Sequence, residues 1–403
     1  MNYPGFVGPS YTLDSVNVDC QRSVNIYVER IESETGKNGA KAYLKSTPGL
    51  DEVMAVGEGP IRMILRVPPP PGALGFKKIL YLVVSGNKVY SAEFDTTWTI
   101  RLIADPDSDP YTLSTNTGPV KGQSVPTTNL GVAASTALFA DGEHVYAYQL
   151  SFDGGVTRIE YVSGHPVDVS PSHIELSDGF YIVNDVGTNQ FRISDWNTAI
   201  FDPLSFASGE GDPDNIAALI VKNRELWLLN ERSTEVNYNS GNADFPFERI
   251  QGGFIEKGIV APYSAAKVES NVFWLGRDNF GQGVVYTAQG LSPQRISTYA
   301  VESAIQKYAD ISKAVAYTYT DQGHSFYVLN FAEGTWVYDL ATGYWHERAY
   351  TGLDGILERH RVNCIAFFPE QGVQLCGDYE NNKIYKFNFN RKTDNGNPIT
   401  RLR

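Results

Sequence analysis

The sequence predicts an all-β chain: a β-propeller-like fold of six or seven blades, with an extended N-terminal arm and a long inserted loop. Three observations predict it. The composition suits pleated sheets and tight turns, with 24 Tyr, 20 Phe, 37 Gly and 21 Pro among 403 residues; aromatic and β-branched residues fit strands, and Gly and Pro punctuate them. A short apolar pair ending in an aromatic recurs seven times along the chain. Short strand-like runs bounded by turns fill the gaps between these markers.

Residues 1–60 read as the arm, rich in Gly, Pro, Ser and Asn. Two strand-like runs interrupt it, Ser23 to Val28 and Ala42 to Lys45, and the second stops at the turn dipeptide Pro48-Gly49. Residues 61–403 read as the propeller-like domain. Its markers are Val89-Tyr90, Val145-Tyr146, Gln190-Phe191, Val236-Asn237-Tyr238, Val285-Tyr286, Val337-Tyr338 and Ile384-Tyr385. The aromatics are spaced by 56, 45, 47, 48, 52 and 47 residues. A repeat of ~40–50 residues with about four strands is the signature of a propeller blade. The clearest unit is Thr335 to Leu340, then Ala341-Thr342-Gly343, then Tyr344 to Arg348, an outer hairpin with a glycine turn. Further strands are expected at Ile79 to Ser85, Glu225 to Asn230, Val272 to Leu275, Ser325 to Asn330 and Cys364 to Phe368.

Two segments break the repeat. Residues 105–130 are rich in Asp, Pro, Thr, Ser and Asn and read as a projecting loop. Tyr299 to Tyr308 places Val301, Ala304, Ile305 and Tyr308 at helical spacing, with Ser297 or Thr298 as the N-cap. A lone helix on a β scaffold is expected to pack over an edge or make a contact.

Lys and Arg number 33 and Asp and Glu 46, a net charge of −13. That balance lacks the basic footprint of a DNA-gripping protein, yet suits a wall past which DNA slides. The N-terminus shows no signal-peptide pattern, and no apolar run approaches ~18 residues, so no membrane segment is expected. Cys20, Cys364 and Cys376 match no zinc spacing and read as reduced thiols.

Motifs that could carry chemistry are weak. Asp105, Asp107 and Asp109 begin like a calcium loop, but Pro110 replaces the required Gly and Asn116 the required Glu. Asp212 and Asp214 read as another solvated acidic turn. His144, His165, His173, His324, His346 and His360 show no i, i+4 zinc pair. No nucleophile elbow or phosphate loop is present, and Gly281-Gln282-Gly283 lacks its third glycine. A glycan-hydrolysing propeller would need two facing carboxylates, for which Asp185 and Asp195 are the candidates. It would also need a deep central pocket with stacking Trp, but Trp98, Trp196, Trp227, Trp274, Trp336 and Trp345 mostly lie in strand patterns that a core would claim. A glycan-binding propeller, which would bind the same polymer without cleaving it, is the other alternative. No catalytic, cofactor-binding or metal residue is therefore assigned, and no cofactor is expected; the chain reads as a non-enzyme.

An ordered set of segments resembles a known family. It runs through Val24-Asn25-Ile26-Tyr27, Ala42 to Leu50, Ile193-Ser194-Asp195, Thr234-Glu235-Val236 and Ile255 to Ala261. Gly290-Leu291-Ser292-Pro293, Ile305-Gln306-Lys307-Tyr308 and Gln374 to Asp378 follow. In this order it resembles the packaged-DNA stabilisation proteins, the tail hub or nozzle proteins, of short-tailed phages. The resemblance implies a virion protein of the tail, assembled in the host cytoplasm. It implies a homo-oligomer, a hexameric ring below the portal and its head-to-tail adaptor. The ring would carry a tail needle or plug and tailspikes or fibres, and double-stranded DNA would pass through it without specific binding. Family members continue with further β structure, whereas this chain stops at Arg403, so the resemblance implies a shorter member or a part supplied by another protein.

Overall fold

The computed structural model describes residues 7–10, 21–30, 42–71, 78–104, 113, 117–127, 134–153, 156–164 and 169–403. The fold is an all-β propeller of seven blades with one α-helix among the described residues. Strands β1 (Ile26–Arg30) and β2 (Ala42–Ser46) pair antiparallel as a separate ribbon. Strand β3 (Gly49–Ala55) joins the last blade.

Blade 1 is β4 (Ile61–Val67), β5 (Ile79–Ser85), β6 (Lys88–Phe94) and β7 (Trp98–Ala104). Blade 2 is β8 (Lys121–Thr127), β9 (Ala134–Ala140), β10 (Val145–Asp153) and β11 (Val156–Gly164). Blade 3 is β12 (Ile174–Ser177), β13 (Phe180–Asn184), β14 (Gln190–Ile193) and β15 (Phe206–Ser208). Blade 4 is β16 (Ile216–Lys222), β17 (Glu225–Asn230), β18 (Thr234–Asn239) and β19 (Phe247–Ile255).

Blade 5 is β20 (Ala266–Val268), β21 (Asn271–Arg277), β22 (Gly283–Gln289) and β23 (Ser292–Arg295). Helix α1 (Tyr299–Ile305) follows it. Blade 6 is β24 (Val315–Asp321), β25 (His324–Asn330), β26 (Thr335–Asp339), β27 (Tyr344–Thr351) and β28 (Leu357–Arg359). Blade 7 orders β29 (Val362–Phe368), β30 (Val373–Asp378) and β31 (Lys383–Asn388) beside β3, with β32 (Thr393–Asp394) and β33 (Asn397–Pro398) beyond. An early strand thus shares a sheet with the latest ones.

All seven sequence markers fall on the third strand of a blade, β6, β10, β14, β18, β22, β26 and β31. The blade number is therefore seven. The second strands behave differently: β5, β9 and β25 are buried along their whole length. A strand packed on both faces loses the alternation of a one-sided sheet and reads as a continuous apolar run.

The chain divides into two compact units. One holds Val53–Ile259 and Val362–Tyr385. Its cores lie between successive sheets: Tyr81, Phe368, Leu375 and Ile384 in one, Phe139, Tyr146 and Tyr148 in another, Phe191, Leu226 and Leu228 in a third. The Tyr81 hydroxyl donates to the Phe367 carbonyl at 2.6 Å, which satisfies the one polar atom of a fully buried ring.

The other unit holds Met1–Glu52, Val260–Arg361 and Lys386–Arg403. In its core Phe273 stacks on Tyr327 at 5.0 Å, beside Trp336 and Trp345. Helix α1 adds Val301 and Ile305 to this core, so the lone helix packs as expected. Thr298 is its N-cap residue, while the Ser297 hydroxyl instead donates to Glu302 at 2.6 Å.

Two expectations are corrected. Within the stretch read as a projecting loop, residues 121–127 form β8, at the end of its sheet. Pro126 hid it; an end strand pairs on one side only and tolerates a missing N–H. Most of 105–120 lies outside the described residues, as do Asp105, Asp107, Asp109, Cys20 and His165. Asp214 is not a solvated turn residue. It is buried and accepts the Arg232 and Ser233 backbone N–H groups at 2.7 and 2.9 Å, pinning one loop to the next. Asp212 in the same turn is half-buried, with the Arg232 guanidinium 3.9 Å away.

Candidate interaction surfaces

The turns at the blade ends carry what the cores do not use. In blade 3 the connection from β14 to β15 is Ser194 to Ser205, which mixes Asp, Asn, Thr and Ser with Trp196, Ile200, Phe201 and Leu204. Its backbone is tied down: Asp195 N–H donates to the Ile200 carbonyl at 2.7 Å, and Leu204 N–H to the Asp202 carboxylate at 2.9 Å. Yet it presents Leu204 at 82% exposure, Trp196 at 65%, and Ile200 and Phe206 also exposed. Trp196 is held in place, because its indole N–H donates to the Asp178 carbonyl at 3.1 Å. Gly179, at φ +87°, makes room for it; a Cβ there would stand 2.7 Å from the indole nitrogen. The Arg192 guanidinium lies 5.4 Å over the Phe206 ring. Asp195 and Asp202, both exposed, give this apolar patch an acidic rim.

Two turns of the other unit have the same character. Phe280 is 89% exposed on the β21–β22 turn, where Asp278 accepts the Phe280 and Gln282 N–H groups at 2.9 and 2.8 Å. Leu353 is 96% exposed on the β27–β28 turn, with Ile356 exposed and acidic Asp354 and Glu358 alongside. Ordered apolar knobs with polar rims are the usual form of a protein contact. The sequence signal for these two was present but slight, Phe280 and Leu353 each a large apolar residue beside Asp and Gly, whereas the blade 3 turn holds several apolar residues whose exposure only the fold decides.

The residues considered for chemistry are dispersed. Asp185 follows β13 and Asp195 follows β14. Those strands are antiparallel, with Asn184 opposite Phe191 and Ser194 bonded to Tyr181, so the two acids stand at opposite ends of the blade. At roughly 3.3 Å per residue that is about 15 Å, too far for a glycosidase pair. Trp227, Trp274, Trp336 and Trp345 are buried, and half-buried Trp98 packs on Phe94 and Phe368; Trp196 is the exposed one.

Two histidines lie near each other, His324 and His346, whose rings stand 5.1 and 5.8 Å from the Tyr27 ring. His346 and His360 are buried, and burial drives His346 down to about 3 and His360 well below the usual range. His173 meets the Ser172 hydroxyl at 2.9 Å. His324 contacts two carboxylates, Asp339 and Glu29. Cys364 is pushed up to about 12 by burial, and Cys376 is buried. Among the described residues no three His, Cys, Asp or Glu side chains gather to hold a metal, and no helix is long and apolar enough to cross a membrane.

Known proteins fit this architecture. No curated protein matches the chain. The extracellular domain of a hybrid two-component system from B. thetaiotaomicron matches at 10% identity and a TM-score of 0.50, over 84% of this chain and 39% of that one. PorZ, a surface component of the type-IX secretion system of Porphyromonas gingivalis, matches at 10% identity and 0.45, over 88% of this chain and 39% of that one. The chain thus spans about two fifths of each, and the first likeness speaks to fold alone. A family model described as bacteriophage P22 Gp10, β-propeller, matches residues 24–392. With most of its length inside that match, the chain belongs to this phage stabilisation family.

Proposed function

We propose that the chain is a structural subunit of a short phage tail. Copies form a ring, the nozzle or hub, below the portal and head-to-tail adaptor. The ring surrounds the DNA exit channel and helps retain packaged DNA until ejection. The match to a phage stabilisation family over residues 24–392 carries this reading. The subunit acts without catalysis. A hexamer fits a closed ring, which requires two unlike faces on each copy. The exposed turns around Trp196, Phe280 and Leu353 supply apolar anchors for neighbours, namely other copies, the adaptor, and the needle or plug with tailspikes or fibres. A net charge of −13 supports passage of double-stranded DNA without specific binding, since phosphate affinity arises from Lys and Arg. Assembly would take place in the host cytoplasm, and the finished protein would reside in the virion tail.

Negative-stain electron microscopy tests this, on the protein alone and mixed with the portal–adaptor assembly of its phage. Sixfold rings with an open centre are expected in one of the two samples. Single propellers that ignore the adaptor would overturn the reading.

A further inference from the structure

His324 opens β25 and reaches two carboxylates that belong to different parts of the fold. Its Nδ1 meets Asp339 Oδ2 at 2.9 Å and its Nε2 meets Glu29 Oε2 at 3.1 Å. Asp339 ends β26 in the same blade. Glu29 lies on β1, in the separate ribbon. Asp339 is an established acceptor, fully buried and already receiving the Thr342 hydroxyl at 2.7 Å and the Ala341 N–H at 3.0 Å. A neutral His324 therefore keeps its remaining proton on Nδ1, toward Asp339. Its Nε2 lone pair then faces the Glu29 carboxylate, acceptor against acceptor. Only the imidazolium donates to both.

We propose that His324 is a proton-operated catch that fixes the β1–β2 ribbon to blade 6, closed when the imidazole is charged and released when it is neutral. The surroundings suit a two-position device. Lys45 of β2 meets the same Glu29 oxygen at 3.0 Å, so the charge of the ribbon acid is shared between one partner inside the ribbon and one outside it. The Tyr27 ring stands edge-on to His324 at 5.1 Å, and Phe326 stacks on it at 5.6 Å. The other ionisable groups facing the site are Asp321 of β24, opposite His324 in register, and His346 of β27, which is buried and held neutral. Away from the catch, Arg30 donates to the Thr342 carbonyl at 3.3 Å and lies over Tyr344. Asn25 anchors the near end of the ribbon whatever the protonation. Release thus loosens the ribbon without detaching the chain.

The direction in pH follows from the two partners. The Asp339 hydrogen bond, then its charge and the Glu29 contact, raise His324 above its ordinary 6.5 against the opposing effect of burial. Its contribution is complete below 6.5 and is lost as pH rises through the raised value. Burial works to raise Glu29, but hydrogen bonds from Lys45 and His324 outweigh it and hold the carboxyl below 4.5. Its contribution is lost only as pH falls through that lowered value. The ribbon is therefore held between the lowered Glu29 value and the raised His324 value, and loosens as pH rises through the latter.

Amide hydrogen exchange of the full chain, read by mass spectrometry and corrected for intrinsic base catalysis, tests the catch at pH 6 and pH 9. Protection of residues 26–30 and 42–46 is expected to fall about tenfold while β17 is unchanged. Glu29→Gln removes the charge at a ribbon position outside the core and should abolish the pH dependence. His324→Gln should give the loosened, pH-independent ribbon throughout. Deuterium exchange at the imidazole C2 position reads the His324 pKa directly and should place it above 6.5. Flat protection in the unmodified chain, full pH dependence in Glu29→Gln, or a His324 pKa at or below 6.5 would each overturn the proposal.

Discussion

Blade 3 and blade 6 are assembled from the same meander, yet their ends are finished in opposite ways. Blade 3 closes on the three-residue β15 and leaves Trp196, Ile200, Leu204 and Phe206 in solvent. In blade 6, β27 is covered. Glu347 N–H donates to the Ser23 carbonyl and Asn25 N–H to the Glu347 carbonyl, both at 2.9 Å. Val24 in turn bridges to Leu402. A sheet edge is a row of unpaired donors and acceptors, and a fold either covers it or keeps it short. Blade 6 is completed by its own chain, the N-terminal segment on β27 and the C-terminal segment on that. Blade 3 stays short and displays apolar side chains. The difference teaches that one edge in this protein is closed by its own chain, while the other leaves ordered apolar side chains in solvent.

Substitutions can break or sharpen that contrast. The largest effect is expected inside blade 6. Trp345 is buried, and its indole N–H donates to the Ile296 carbonyl at 2.8 Å. Trp345→Ala should cost about 4 kcal/mol, seen as a lower urea midpoint. Next comes the cover. Asn25 adopts φ +57° and its buried amide makes three hydrogen bonds, donating to the Ala349 and Thr400 carbonyls and accepting from the Ala349 N–H. Asn25→Ala orphans these groups and should cost about 3 kcal/mol. It should also open β27 to amide exchange; unchanged exchange there would show that the cover is ornamental.

Blade 3 should respond less. Gly179→Ala places a methyl group against the Trp196 indole in a left-handed backbone position, and about 1–2 kcal/mol of destabilisation is expected by thermal melting. Smallest of all, Leu204→Ser and Trp196→Ser should change stability by less than about 0.5 kcal/mol. The same variants should reduce assembly with the portal–adaptor complex or between copies, scored by ring counts in micrographs. A stability loss as large as that of Asn25→Ala would mean that the blade 3 turn is structural after all, and the contrast would fail.

Much of the fold was readable from the residues because blades repeat. The Val337-Tyr338 type of marker recurs since every third strand meets similar neighbours, and the hairpin Thr335 to Arg348 stands where its glycine turn predicts, with Gly343 at φ +72°. Helix α1 was legible for the same reason, a local period with a local cap. Strand β8 was not, because Lys121 to Thr127 lacks alternation and contains Pro126; pairing with β9 makes it a strand. The burial of Asp214 was equally hidden, since its partners Arg232 and Ser233 lie on the next loop of a folded sheet.

By itself the sequence determined the class of fold, a repeat of ~40–50 residues that allowed six or seven blades, and the acidic balance, all properties of local pattern and composition, while an ordered set of segments carried the resemblance to the family. Tertiary structure alone decided which turns present Trp196, Phe280 and Leu353 to solvent, and which acid His324 would find. Those outcomes join residues as far apart as Glu29 and His324, and Asn25 and Thr400. No period in the chain encodes such pairs. They exist only when separate segments are packed to exclude water, and that packing decides which polar groups must find partners and which apolar ones stay bare.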